Sequence, residues 1–297
     1  MLQILAQTPT TLELKVYKDG DLTDLDAVPS LSVVDGDGNT VSTGSVTKPA
    51  GTTGIYRATL PGQPDPNVLT ATWTGTMSGD AVTFVRRYEI VGDLLFTEAA
   101  ARSAQVSGGQ TPLADTTLYP DAWIADLRSR IVDQFERKTG RSFVRRYCRI
   151  RMSGTGRYDL PVVDGDVRLW DGTPLDRPGR RLDIGKVLSV TVSGTAVAAS
   201  NVVVDGGLLR RTDGLWTRGT SSNPLNVVVE YVYGLPAPTE AAARALEMAL
   251  ANVPGDMSAW TQTFSNDDGS FRFDRTLAYP PSVWEWLKAQ TVNLGIA

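Results

Sequence analysis

The residues that could do chemistry are mostly carboxylates within one stretch of the chain. Five aspartates fall within eighteen residues, at Asp159, Asp164, Asp166, Asp171 and Asp176. Two carboxylates on either side of a glycosidic bond are the working groups of most glycosidases. Here a glycine directly follows Asp164 and Asp171, and aspartate–glycine pairs are typical of turns. The pattern therefore favours loops over a catalytic pair.

The composition excludes most other catalytic chemistry. The chain has no histidine, so Ser-His-Asp and Cys-His catalysis and His-ligated zinc are impossible. Cys148 is the single cysteine, which rules out an intrachain disulfide and a multi-cysteine metal site. Neighbouring arginines could lower the pKa of its thiol, but without a histidine base we expect Cys148 to be a packed residue.

Two glycine-rich segments resemble ligand-binding loops. The segment 154–156 lacks the third glycine of a dinucleotide motif, and the chain has no phosphate-binding Gly-x-x-x-x-Gly-Lys-[Ser/Thr]. In 35–39, Asp-Gly-Asp-Gly-Asn, a calcium loop would need glycine at its sixth position and glutamate at its twelfth, where Thr40 and Val46 stand. A turn is the favoured reading there and a metal site the weaker one. We expect no enzyme activity, no cofactor and no metal.

The net charge is mild, but the charges are unevenly placed. Acidic residues number 33 and basic residues 29, for a net charge of −4, which argues against a DNA-coating protein. Residues 128–151 instead hold nine basic residues against two acidic ones. One reading is a solvated helix face followed by a strand. The other is contact with phosphate or an acidic partner, through Arg128, Arg130, Arg145 and Arg146.

Residues 1–95 have the pattern of a small all-β domain. Apolar and polar residues alternate in 11–17, 54–60 and 82–91, with turn residues about every ten positions. Such spacing predicts a β-sandwich. It is similar to the Ig-like domains of phage and bacterial surface proteins, without their disulfide. The predicted boundary falls near residue 96, where the acidic excess of the first part ends.

Residues 96–297 mix helices and strands in a definite order. Capping residues and apolar spacing predict helices at about 120–139, 239–252 and 281–290, with a β segment at about 143–233 between the first two. The expected fold class is therefore α+β: an N-terminal all-β Ig-like sandwich, followed by a helical domain with an inserted antiparallel β segment.

Three motifs in this second part occur in the order of a known family. They are Lys-Thr-Gly-Arg-Ser-Phe at 138–143, Asp-Gly-Gly-Leu-Leu-Arg at 205–210, and Glu-Tyr-Val-Tyr-Gly at 230–234. Residues 97–297 thereby resemble the head-to-tail adaptor, or connector, proteins of long-tailed bacteriophages. The N-terminal β domain and the long stretch 153–180 depart from the family pattern.

The resemblance implies a structural role in the virion. Such proteins form a homo-oligomeric ring, usually a dodecamer, under the portal protein, joining the head to a tail-side stopper or neck protein. The ring leaves a channel through which genomic double-stranded DNA passes without sequence recognition. The expected location is the virion neck at the head–tail junction, after assembly in the bacterial cytoplasm, and no membrane is involved. No run of about 18 apolar residues and no basic, apolar leader is present.

The resemblance also assigns two candidate sites. The C-terminal segment would hold the portal, through Tyr279, Pro281, Val283, Trp284, Trp286 and Leu287. Trp284 and Trp286 point about 200° apart on a helix, so both cannot face one core stripe, and exposed aromatic residues are typical interface anchors. The loop between the last two helices would face the channel or the tail side, through Asn266, Asp267, Asp268, Gly269 and Arg272.

Two other functions fit the sequence. A tail, baseplate or surface adhesin protein could bind carbohydrate through the Ig-like domain, as a monomer or trimer with an aromatic groove. The second alternative is a cytosolic scaffold protein. The connector hypothesis differs from both because it requires a closed ring.

Overall fold

The structure is a computed structural model that describes residues 2–106, 108–164, 179–180, 183–205, 207–253 and 279–290. Two compact units divide the chain. The first comprises Met1–Asp93 with Arg146–Cys148, and the second comprises Leu94–Arg145 with Arg149–Ala297.

The N-terminal part of the first unit, up to Asp93, forms ten strands among the described residues. In chain order they are β1 (Leu2–Leu5), β2 (Thr10–Lys15), β3 (Tyr17–Lys18), β4 (Asp21–Leu22), β5 (Ser30–Val34), β6 (Thr40–Ser42), β7 (Val46–Thr47), β8 (Ile55–Leu60), β9 (Asn67–Met77) and β10 (Asp80–Val91). They form a five-stranded sheet β1-β10-β9-β5-β6, a three-stranded sheet β2-β8-β7 and the small ribbon β3-β4.

The two larger sheets of the first unit share one core. Alternate residues of β9, Leu69, Ala71 and Trp73, are fully buried, and Leu12 and Leu14 of β2 bury in the same cluster. This alternation is the period-two pattern of strands with one buried face. Asp26 stabilises the turn between β9 and β10, since its carboxylate accepts hydrogen bonds from the backbone N–H groups of Ser78 and Gly79.

The strand β1 was not predicted from the sequence. It pairs in parallel with the end of β10, with Leu2 opposite Tyr88 and Leu5 opposite Val91. Four residues carry too short an alternation to be recognised locally, and a parallel partner far along the chain leaves no turn signal beside it.

The described part of the second unit contains four helices. They are α1 (Glu98–Ser103), α2 (Asp121–Thr139), α3 (Thr239–Ala251) and α4 (Pro281–Gln290). The helix α2 ends at Gly140, which has a left-handed φ of 72° and donates its N–H to the carbonyl of Glu136, as glycine at this position commonly does. Buried side chains from all four helices meet in one core with Phe143 and Val144.

The strands between α2 and α3 form separate small sheets. They are β11 (Arg146–Met152), β12 (Asp159–Pro161), β13 (Val163–Asp164), β14 (Gly179–Arg180), β15 (Ile184–Val192), β16 (Thr195–Val197), β17 (Val202–Asp205), β18 (Leu208–Arg211) and β19 (Val227–Tyr233). Their orders are β11-β19-β15-β16, β12-β18-β17 and β13-β14. Trp216 is fully buried, and its indole N–H donates to the carbonyls of Tyr158 and Leu209.

The predicted fold class is wrong. The structure is mostly β, with 37% strand and 21% helix. Among the described residues the strands form several small sheets and no barrel. A helical adaptor domain with an inserted β segment is not seen. The prediction treated the segment between α2 and α3 as a single β insertion in a helical domain. The nine strands of that segment pair only with one another, in three separate sheets, and together with the strands of the first unit they outnumber the helices among the described residues.

Candidate functional site

The helix α4 divides its residues between the core and the surface. Val283, Trp286 and Leu287 are buried, at the i, i+3 and i+4 spacing that places side chains on one helix face. The Trp286 ring lies 5.5 Å from that of Phe135 and 5.1 Å from that of Phe143, measured between centroids. These contacts hold α4 against the end of α2.

Trp284 lies on the other side of the same helix. It is 38% exposed, whereas Trp286 is 8% exposed. Of the six residues predicted to contact a portal, the structure therefore places Val283, Trp286 and Leu287 in the core and leaves Trp284 and Pro281 exposed and Tyr279 half-buried. The core residues can support an interface only by fixing α4, and Trp284 is the aromatic side chain of α4 that a partner can reach.

Two lysines stand beside the Trp284 ring. The Nζ of Lys138, at the end of α2, lies 5.1 Å from the Trp284 centroid, and the Nζ of Lys288, on α4, lies 5.8 Å from it. Both distances are within the range of cation–π attraction. Lys288 also pairs with Glu285 at 2.5 Å. We name Lys138, Tyr279, Trp284 and Lys288 the aromatic–lysine surface.

Tyr279 anchors this surface to α2. Its hydroxyl donates a 2.6 Å hydrogen bond to Oε1 of Gln134, and its ring meets the Trp284 ring edge-on at 5.7 Å. Burial raises the pKa of Tyr279 to about 12, against an opposing effect of Arg137. The phenol therefore stays neutral and keeps donating to Gln134 throughout the physiological pH range.

Tyr279 and Trp284 were predicted from the sequence as site residues, whereas Lys138 and Lys288 were not. Lys288 follows Trp284 by four residues on a helix, so its proximity was predictable. Lys138 lies in the last turn of α2. Its position over Trp284 depends on the packing of α4 against α2, for which the sequence carries no local signal.

The four arginines predicted as a basic surface do not behave alike. Arg128 is in the core, with its guanidinium donating to the carbonyl of Phe96 and the carboxylate of Glu98. Arg128 is therefore not part of a solvated or partner-facing surface, because Phe96 and Glu98 hold its guanidinium in the core. Arg130 is exposed and pairs with Asp126 one turn away, and Arg145 is exposed.

Arg146 belongs to a buried polar group within the first unit. Its guanidinium contacts both carboxylate oxygens of Glu89, at 2.5 and 3.0 Å, and Gln3 also donates to this carboxylate. Glu89 is almost fully buried. Arg146 therefore neutralises a buried carboxylate, which is a structural role.

The acidic candidates form turns and surface pairs. The carboxylate of Asp35 accepts from the backbone N–H groups of Asp37 and Asn39 and from the Asn39 side chain, as in a hydrogen-bonded turn. Asp159 pairs with Arg210, whose hydrogen bond and charge lower the pKa of that carboxyl. Within the described residues no cluster of three metal-ligating side chains exists. Cys148 is half-buried and reduced.

Part of the predicted site lies outside the described residues. This applies to the channel or tail-side loop with Asn266, Asp267, Asp268, Gly269 and Arg272, and to Asp166, Asp171 and Asp176. For the described part of the chain, no helix is both long and apolar enough to cross a membrane.

Comparison with known proteins adds no relative. No protein-family model matches the chain, and no curated protein matches it.

Proposed function

We propose that this chain is a structural protein of a bacteriophage neck, which forms a homo-oligomeric ring under the portal protein and joins the head to the tail-side stopper or neck protein. Genomic double-stranded DNA passes through the ring, and the chain itself carries out no reaction. The location is the virion, at the head–tail junction, following assembly in the host cytoplasm.

The observation that carries this proposal is the aromatic–lysine surface. An exposed tryptophan is a strong interface anchor, because its large ring buries much area at little cost in side-chain entropy. Here the ring is held on a helix whose other face is fixed by Trp286, so the anchor is preorganised for a partner. A surface of this kind suits assembly better than catalysis.

The order of motifs in the sequence supports the choice of partner. The helix exit at 138–143 contains Lys138, and the segment that a portal would contact contains Tyr279 and Trp284. One motif that carries the resemblance and the segment that the resemblance assigns to the portal thus contribute to one surface. The proposal depends on these residues and does not require the helical domain fold that was expected from the sequence.

The experiment is electron microscopy of the full chain mixed with the portal protein of the same phage. We expect a symmetric ring under the portal for the wild type and loss of the complex for Trp284→Ala. Tyr158→Ala removes another exposed aromatic side chain of the second unit and is the matched control, which should still bind.

Two results would contradict the proposal. If the wild-type chain leaves the portal bare under all assembly conditions, the connector role is wrong. If labelled chains in intact particles lie only at the distal tail tip, the adhesin or baseplate hypothesis takes its place. Glycan binding by the full chain would then be the next measurement.

A further inference from the structure

The strand β10 of the first unit has an edge that is only partly covered. On one side it pairs with β9 along almost its whole length. On the other side it pairs with β1 only at 88–91. Among the described residues no strand lies beside 80–87 on that side, and Val85 in its middle is 59% exposed. We call this part of β10 the open edge, and an unpaired edge is a template for another strand.

The backbone groups that face the open edge follow from the neighbouring pairs. The N–H of Ala6, just after β1, donates to the carbonyl of Val91 at 2.8 Å, so the Val91 backbone faces the β1 side. Successive residues of a strand direct their N–H and C=O groups to opposite sides. The odd-numbered residues therefore point these groups out of the open edge, and all four are exposed: Ala81, Thr83, Val85 and Arg87.

The sequence of the open edge is complementary to itself. Two copies can run antiparallel with Thr83 opposite Thr83, and Arg86 of each copy then stands opposite Asp80 of the other. In the same register Phe84 stands opposite Val82. These even-numbered residues form the pairs without hydrogen bonds, in which side chains approach most closely. Two ion pairs thus flank an apolar centre, and both kinds of cross-strand pair are stabilising.

The two ends of the open edge limit the register. At one end the chain turns at 78–79, and at the other β1 already covers the edge. A two-fold ladder must therefore be centred near the middle of the open edge. Centring it on Phe84 would place Arg86 opposite Val82 and would remove the direct ion pairs. Charge complementarity therefore selects Thr83 as the centre.

A second copy suits the open edge better than an unrelated strand. Arg86 and Arg87 are exposed, and charged side chains on an edge oppose pairing with a strand that lacks the opposite charge. A second copy brings the carboxylate of Asp80 to Arg86. It also places Gly79, which has no side chain, opposite Arg87.

We propose that the open edge of β10 pairs with the same edge of a second copy of this chain, in a two-fold antiparallel ladder centred on Thr83. The ladder joins the five-stranded sheets of the two copies into one continuous sheet. A two-fold contact uses the same surface on both copies, whereas a ring closes through head-to-tail contacts. The pairing is therefore additional to the ring contacts of the proposed connector and does not depend on that function.

The test is sedimentation velocity of the full chain at concentrations up to about 0.2 mM, where the wild type should form dimers. Arg86→Asp places like charges opposite each other twice and should weaken the dimer about tenfold or more, and Asp80→Arg should do the same. A mixture of these two variants has opposite charges at both positions and should recover dimers. Arg87→Asp is the matched control, because its side chain lies on the other face of the sheet and meets no carboxylate.

Hydrogen exchange of the backbone amides locates the contact. The N–H groups of Thr83 and Val85 point out of the open edge, so their exchange should slow as the chain concentration rises. Those of Val82 and Phe84 point toward β9 and should be protected at every concentration. Protection confined to the odd-numbered residues would identify strand pairing rather than general burial.

Several results would overturn the inference. One is a dimer or larger assembly that Arg86→Asp and Asp80→Arg leave intact, since it would use another surface. Another is a wild type that stays monomeric; slow exchange at Thr83 in that monomer would mean that the edge is covered within one chain. Protection that appears only with the portal protein would give the edge to the portal. The connector role is tested separately, by microscopy of the chain with the portal.

Discussion

At the residue scale, the buried guanidinium of Arg128 in the second unit is stabilised by two specific hydrogen-bond acceptors. The Arg128 side chain is 2% exposed, and its guanidinium is held by the carbonyl of Phe96 and the carboxylate of Glu98. A buried cation is tolerated only where such partners replace water. The pair also connects α1 to α2, since Glu98 is the first residue of α1.

Removing the charge of Glu98 should destabilise the protein. We expect Glu98→Gln to lower the free energy of unfolding by about 1–3 kcal/mol, because Arg128 stays buried with one partner weakened. The control is Asp126→Asn, which breaks the exposed pair with Arg130 and should cost less than about 1 kcal/mol. Urea unfolding followed by circular dichroism measures both. Equal effects would contradict a structural role for the buried pair.

At the element scale, α4 shows how one helix serves two purposes. Its apolar face is part of the core, and its outer face presents Trp284, whose ring lies near Lys138 of α2 and Lys288. The two tryptophans are two residues apart, so the helix period alone sends them in different directions. Which of them faces inward was decided by the position of Phe135 and Phe143.

The two tryptophans should therefore differ sharply on truncation. Trp286→Ala should lower the stability of the second unit by about 3–5 kcal/mol, the usual cost of removing a large aromatic side chain from a core. Trp284→Ala should cost about 1 kcal/mol or less, since the ring is partly exposed and loses only its cation–π contacts and the edge-on contact with Tyr279. Chemical denaturation of the two variants gives the comparison. A large loss for Trp284→Ala would mean that this ring also supports the fold.

At the scale of the whole molecule, carboxylates with lowered pKa values occur in both units. In the first unit, the hydrogen bond from the backbone N–H of Gly54 is the largest cause of the lowered pKa of Asp24. The backbone N–H of Gly79 has the same effect on the pKa of Asp26. In the second unit, hydrogen bonds from the backbone N–H groups of Leu118 and Thr117 lower the pKa of Asp115. A hydrogen bond from the Arg211 guanidinium lowers the pKa of Asp213. Each carboxylate accepts hydrogen bonds from neighbouring groups, and these bonds favour its charged form.

These shifts predict a stability that falls in acid. A carboxyl whose folded pKa lies below its unfolded value, about 3.8 here, stabilises the fold above that value and loses the effect as pH falls through the folded pKa. We expect the melting temperature to be flat between pH 5 and 7 from these groups and to drop below about pH 4. Asp26→Asn should reduce that drop in a thermal scan from pH 3 to 7. An unchanged acid response would show that the hydrogen bonds of Asp26 are not coupled to folding.

The sequence by itself determined what depends on neighbouring residues. The absence of histidine and the single cysteine limited the chemistry, and capping and apolar spacing located α2, α3 and α4 to within a residue or two, since these signals act over one or two turns. The divergence of Trp284 and Trp286 likewise follows from helix geometry.

Only the tertiary structure decided what depends on distant partners. It paired β1 with β10, it divided the segment after α2 into separate sheets, and it buried Arg128. It also placed Lys138 over a ring 146 positions later in the chain. Long-range contacts of this kind are selected by packing and by the need to satisfy buried polar groups. No local pattern encodes them, which is why the fold class was wrong although most helices were located correctly.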